Sequence, residues 1–479
     1  MALPTSAESA GRGIAPGMAA KISRRQALRG AAGLGIAAMG LLPASCTITK
    51  GTPPISTVGL DKKPAPGRKV NIEVYSVWGS TVGQGMVKLA EEFEKVQEDI
   101  GVRVVYAPIG IGGGSVQTKL FAALAGDNAP DVAQLVPSQA PQWSELGIMT
   151  DLTDRFKAAG LTQDDFFPPI WESMVYKDRV WQMQWDADPN FPFFWNKQLF
   201  EESGLDPERP PATIEEVDEY SAKILRKHGA NVVKIGMIPW DAYGRSNSMF
   251  TWGWAFGGSF YDPEREEVTP DHELVVKALE WMVRYAKSVG GFERVTVVPP
   301  GLQLHFFGSG NVGMAPLVAP NFRDIKTNVK DMPIGATQLP YQPPGADRPG
   351  AGAWIGGWGM FVPSGARHKD EAFEFIRWVS ATDEGTKAQW EHIGFPPAYR
   401  KAAVLEEIKN DPIMAPYYDV LVTATNIRPP IPVADYFTTQ LEQNVDRAIL
   451  GQVSPIEALR TVKRVTMEEW NRFRKAVQA

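Results

Sequence analysis

Val70-Asn71-Ile72-Glu73-Val74-Tyr75 opens the stretch that decides the fold, because apolar and polar residues alternate there with the period of a strand buried on one face. From Gly83 to Gln97 the period changes: Met86, Leu89, Ala90, Phe93 and Val96 recur at helical spacing. Val102 to Tyr106 then returns to strand character. The unit is β-α-β. A second helix over Gln117 to Ala125, capped by Gly126, and a buried strand over Pro130-Asp131-Val132-Ala133-Gln134-Leu135 continue the alternation. Such alternation predicts an α/β protein built on a parallel sheet with helices on both faces. In open sheets of that kind, ligands lie beyond the carboxyl ends of the strands.

Upstream, Ser23-Arg24-Arg25-Gln26-Ala27-Leu28-Arg29 resembles a twin-arginine export signal, with Ala27 where that signal usually has Phe. The weakly apolar segment Gly30 to Leu42 would cover roughly 20 Å as a helix, short of the roughly 30 Å hydrocarbon core. It reads as a signal h-region rather than a membrane span. Leu42-Pro43-Ala44-Ser45-Cys46 resembles a bacterial lipobox, although Leu42 lies one position too far upstream and Pro43 stands in the leucine position. Cys46, the single cysteine, is then either lipidated at a mature N-terminus or an incidental thiol in a cleaved peptide. Two acyl chains would anchor stably where one would not. Residues 1–46 are thus expected to be a signal peptide ending at Cys46, and the Pro-, Gly-, Ser- and Thr-rich residues 47–68 a flexible linker. The expected location is the cell surface or periplasm, on a lipid anchor.

The remaining chain exceeds what one core usually supports, so two lobes are expected. With 44% hydrophobic and 22% charged residues the composition is that of a globular protein. The net charge is −6, and removal of residues 1–45, which carry +4, leaves −10. An acidic body without a basic run argues against nucleic acid as a partner. No disulfide can form within a chain holding one cysteine.

Further stretches carry a resemblance. These are Leu120-Phe121-Ala122-Ala123-Leu124-Ala125-Gly126-Asp127-Asn128-Ala129-Pro130-Asp131-Val132, Phe194-Trp195-Asn196-Lys197 through Gly204-Leu205, Phe306-Phe307-Gly308-Ser309-Gly310-Asn311-Val312-Gly313-Met314, and Gly356-Gly357-Trp358-Gly359-Met360 before Lys369 to Ile376. In this order, over roughly residues 69 to 475, they resemble the family 1 extracellular solute-binding proteins, the sugar receptors of ABC importers that include maltose-binding protein. The resemblance implies a periplasmic-binding-protein fold of two discontinuous α/β lobes with a ligand cleft at the hinge. Lobe 1 would comprise residues 69–186 plus 357–410, and lobe 2 residues 187–356 plus 411–479. The chain would cross between them near Trp185 to Asn190, Trp354 to Phe361 and Asp411 to Pro416. The partners implied are a carbohydrate ligand and ABC permease subunits, with the receptor acting as a monomer.

Aromatic residues cluster in loops, which suits sugars: an aromatic plane covers the C–H face while Asp, Asn, Gln and Ser bind the hydroxyl rim. The ligand-binding candidates are Trp78 and Ser80 after the first strand, Gln139, Asp186, Trp240, Asp241, Trp252, Trp354, Gly357, Trp358 and Tyr436. Any of these tryptophans is otherwise core packing, and the acids are otherwise solvated surface. Trp281, Trp378 and Trp470 lie in helical runs and read as structural. Gly356, Gly357 and Gly359 supply permissive backbone at one crossing.

Cofactor motifs fail. Asp186-Ala187-Asp188-Pro189-Asn190 begins like a calcium loop, but Phe191 replaces the required Gly and Lys197 the closing Glu. The five histidines never approach metal spacing, so neither a metal nor another cofactor is expected. Gly110-Ile111-Gly112-Gly113-Gly114-Ser115 lacks the Lys of a phosphate loop and reads as a flexible mouth loop. No Gly-x-Ser-x-Gly elbow occurs, and no enzyme activity is expected. Two alternatives stay open: an exported glycoside-active enzyme, or a receptor for a phosphorylated polyol in which Arg245 or Arg323 meets the phosphate.

Overall fold

The computed structural model describes residues 59–108, 118–240, 244–291, 306–329 and 331–478. The segment read as a signal, Cys46, the residues 110–115 read as a mouth loop and Asp241 lie outside these residues, as do the side chain of Arg323 and the expected linker up to residue 58.

Strand β1 (Val70–Ser76), helix α1 (Ser80–Val96) and strand β2 (Ile100–Tyr106) form the expected β-α-β unit, with β1 and β2 parallel from Val70 opposite Ile100 to Ser76 opposite Tyr106. Helix α2 (Thr118–Ala125) leads to β3 (Val132–Leu135), which lies parallel to β1 on its other side. Met86, Leu89, Ala90 and Phe93 of α1 are buried, as the periodicity requires, whereas Val96 is exposed.

The chain continues through β4 (Met183–Gln184), β5 (Asp188–Asn190) and β6 (Phe193–Asn196), then helices α3 (Arg245–Ala255) and α4 (Glu273–Ser288), and strands β7 (Met314–Pro316) and β8 (Ile334–Thr337). It returns through β9 (Trp354–Gly356) and β10 (Gly359–Phe361). The last helices are α5 (Lys369–Ala381), α6 (Asp383–His392), α7 (Ala434–Ile449) and α8 (Pro455–Gln478).

Two main sheets result. The first has the order β2-β1-β3-β10-β4; the second has the order β7-β6-β8 and is antiparallel throughout. The expectation of a parallel sheet is corrected at one strand, since β10 arrives from the far side of the molecule and runs antiparallel to both β3 and β4. Between the sheets, β5 and β9 pair antiparallel, Trp354 opposite Asn190 and Gly356 opposite Asp188, so an outgoing and a returning crossing support each other.

Residues 60–68, read from the sequence as part of a flexible linker, pack on the edge strand β2. Leu60 is 2% exposed, and Lys62 exchanges two backbone hydrogen bonds with Val104, both 3.0 Å. The Lys62 Nζ donates to Glu94 at 2.7 Å, and that buried carboxylate also accepts from the amides of Ala65 and Val102. A charge-satisfied contact of this kind holds a Pro-rich segment that has no periodicity to announce it.

Candidate functional site

The crossings build the site. Gly357 sits between β9 and β10 at φ +121°, and a Cβ there would lie 2.5 Å from the Asp186 carbonyl oxygen and 2.6 Å from Gln184 Nε2. Only glycine lets the returning strand pass so close to the outgoing one. Gln184 Nε2 donates to the carbonyls of Gly356 (3.0 Å) and Asp186 (3.2 Å), and the Trp358 amide donates to Asp186 Oδ1 at 2.5 Å. Asp186 is wholly buried, and among the described residues its Oδ2 accepts no hydrogen bond. Burial, reinforced by the charge of Asp188, pushes its carboxyl well above the usual range.

Beside this network lies a small, narrow cleft. Ser138, Ser173 and Gln184 line it from the side of the first sheet; Ile355, Arg428 and Pro430 line it from the other. The Arg428 guanidinium lies 4.7 Å from the Trp354 ring centroid, and its Nε and Nη2 donate to Asn247 Oδ1 at 3.2 and 3.0 Å. Trp354 is fixed in turn by donating Nε1–H to Thr251 Oγ1 at 2.9 Å. Asp188 and Asp435 flank the guanidinium electrostatically, neither close enough for an ion pair. Burial pushes Asp188 up to about 6 while Arg428 pulls it back; burial also brings Arg428 down to about 10. Asp435, in the first turn of α7, is raised by burial as well. Gln139 Nε2 donates to Asp435 Oδ2 at 2.7 Å. Among the described residues no His, Cys, Asp and Glu side chains group to hold a metal ion, and no helix is long and apolar enough to cross a membrane.

The residues expected to bind ligand separate into three groups. Asp186, Gly357 and Trp358 meet at the crossings, with Trp78 next to them, while Gln139 bonds to Asp435. The rings of Trp78 and Trp358, both half-buried, meet edge to face at 4.8 Å. Trp354 is present but 1% exposed, its face given to Arg428, so it supports the site and offers no free plane. The others lie elsewhere in the fold. Trp240 is 2% exposed and packs on Tyr285; Trp252, inside α3, is fully buried, donates to the Pro239 carbonyl and packs on Trp281. Both are core residues: a Gly- and aromatic-rich run that reads as a loop is partly a buried helix. Ser80 is an exposed first residue of α1. Tyr436, in the first turn of α7, is partly buried; burial raises its phenol above the ordinary range, and the charges of Glu469, Arg472, Glu468 and Arg464 of α8 act on it. Trp281, Trp378 and Trp470 are buried, in keeping with a structural role.

Arg428 and Asp435 were missed. Both come from the C-terminal segment and face residues 247 and 139, separations that no local pattern encodes. The only sequence signal is a lone arginine in the Pro-rich run Arg428-Pro429-Pro430. Of the arginines proposed as a phosphate clamp, Arg245 is paired with Asp446 at 2.9 Å.

Comparison with known proteins bears on this geometry. Residues 88–416 match the family described as bacterial extracellular solute-binding protein. A maltotriose-binding protein of Pyrococcus abyssi is 23% identical over 333 residues, 68% of this chain and 66% of that protein. The sn-glycerol-3-phosphate-binding periplasmic protein UgpB of Salmonella paratyphi A is 23% identical over 440 residues, 86% of this chain and 95% of that protein. Among solved structures, CpMnBP1 with mannotriose bound superposes with a TM-score of 0.71 at 22% identity, covering 83% of this chain and all of the other.

Proposed function

We propose, because the chain belongs to the family of bacterial extracellular solute-binding proteins, that it is an exported receptor which captures a carbohydrate between two lobes and delivers it to the permease of an ABC importer. The observation that carries the reading is the cleft itself: Ser138, Ser173 and Gln184 from one side and Arg428 from the other converge on one gap, with Asp188 and Asp435 near the guanidinium and Gln139 bonded to Asp435. Hydroxyl-rich ligands need this mixture of fixed donors and acceptors beside apolar surface. Half-buried Trp78 and Trp358 supply the aromatic planes at its edge.

Lobe 1 is taken as residues 69–186 plus 357–410 and lobe 2 as 187–356 plus 411–479, in line with the sheet to which each strand belongs. The Gln139 to Asp435 contact bridges the gap, so the lobes must part to admit an oligosaccharide and close again around it. The receptor works as a monomer and releases its ligand unchanged. Cys46 carries the lipid anchor, and the tether ends where Leu60 and Lys62 dock on β2.

Thermal-shift screening against mono-, di- and trisaccharides tests this. A ligand bound by the folded state alone stabilises by about 2.7 kcal/mol at one hundred times Kd. At least one oligosaccharide should raise the melting temperature and be recovered intact. Turnover of the sugar by substoichiometric protein would show an enzyme instead.

A further inference from the structure

We propose that Asp188 and Asp435, flanking Arg428, make this cleft select uncharged saccharides and reject phosphorylated ones. The inference rests on the cleft being the ligand site and goes on to the charge class of the ligand. Similarity leaves that class open, since the relatives include proteins named for maltotriose and for sn-glycerol 3-phosphate.

A phosphomonoester brings a charge of about −1.5 to −2 at neutral pH. A receptor that strips water from it must replace that hydration with donors, most effectively an arginine fork presenting two parallel N–H groups. Here the fork is already engaged. Nε and Nη2 of Arg428 both donate to Asn247 Oδ1, and the guanidinium face lies on Trp354. Arg428 is the one basic residue among the described residues lining the cleft. Two carboxylates stand against it, so with both ionised the local sum is negative.

A helix N-terminus is the other usual anion holder. Asp435 occupies the first turn of α7 with the chain's own carboxylate, which Gln139 fixes in place at 2.7 Å. The positive ends that a phosphate would seek are thus already matched. The serines and Gln184 that line the cleft suit neutral hydroxyls, while the negative charge of Asp188 and Asp435 behind Arg428 opposes an added anion.

Isothermal titration calorimetry on the whole protein at pH 7.5 decides the matter, with maltotriose, mannotriose, sn-glycerol 3-phosphate and glucose 6-phosphate as probes. The wild type should bind a neutral saccharide and bind either phosphate ester at least a hundredfold more weakly. Asp188→Asn and Asp435→Asn keep shape and hydrogen-bonding capacity, and melting curves check that both fold. Each should gain at least tenfold in affinity for a phosphate ester. Tighter binding of a phosphate ester than of any saccharide by the wild type would overturn the selectivity while leaving a solute receptor standing. Saccharide binding with undiminished phosphate exclusion in both variants would overturn the roles of the two aspartates. Binding of neither probe class would overturn the carbohydrate reading itself.

Discussion

Replacing Gly357 by Ala or Val probes the crossing that shapes the cleft. Its φ of +121° lies in a region essentially closed to residues with a Cβ, which costs on the order of 1–3 kcal/mol. The new Cβ would also stand 2.5 Å from the Asp186 carbonyl oxygen and 2.6 Å from Gln184 Nε2. Neither neighbour yields easily. The residue after Asp186 is held by its amide bond to the Pro396 carbonyl at 2.8 Å, and Gln184 is tied to two carbonyls. Alanine should therefore fall at the upper end, about 3 kcal/mol. Valine adds a second branch at Cβ and should be worse. Urea unfolding followed by tryptophan fluorescence measures the change in midpoint, and calorimetry on the same samples measures ligand affinity. Both should fall, affinity in particular, because relief of the overlap displaces Asp186 and the Trp358 amide bonded to it. A Gly357→Val protein with wild-type midpoint and affinity would refute the close-approach argument.

Trp240→Ala should lower stability by about 3–5 kcal/mol with little change in affinity, as for any buried tryptophan, whereas Trp358→Ala should weaken sugar binding by about 1–3 kcal/mol; paired melting and titration experiments separate the two. Lys62→Ala leaves the buried Glu94 carboxylate without its cation and should cost about 3 kcal/mol while opening residues 60–68 to proteolysis. Asp188 holds its proton more tightly folded than unfolded, so its contribution to stability is complete below about pH 4 and is lost as pH rises toward about 6. The wild-type minus Asp188→Asn difference in unfolding free energy should therefore change across that window and be flat above it. Cys46→Ala should move the protein from the membrane to the soluble fraction.

Much of the first lobe was legible because its signals are local. The period-two run at Val70 to Tyr75 and the helical spacing from Met86 to Phe93 each bury one face, and the structure places both as read. The antiparallel insertion of β10 was not legible, since it depends on a return from residues beyond 300 and not on anything in Gly359-Met360-Phe361. The candidate site divides in the same way. Asp186 and Gly357 lie at crossings that the family resemblance places, where the glycines supply permissive backbone. Arg428 and Asp435 gain their meaning from Asn247 and Gln139. Trp240 and Trp252 show the converse hazard: aromatic residues among glycines resemble a binding loop, yet Trp252 lies on a helix with every side chain from Ser248 to Ala255 buried.

The account stands most directly on lobe motion. Small-angle scattering of the protein, with and without a saturating saccharide from the thermal-shift screen, reads that motion as a radius of gyration. Parting the lobes breaks the Gln139 to Asp435 contact, and capture of the sugar restores it. The radius should therefore fall on ligand addition. An identical profile in both states, at a concentration where calorimetry shows the site filled, would contradict capture by closure.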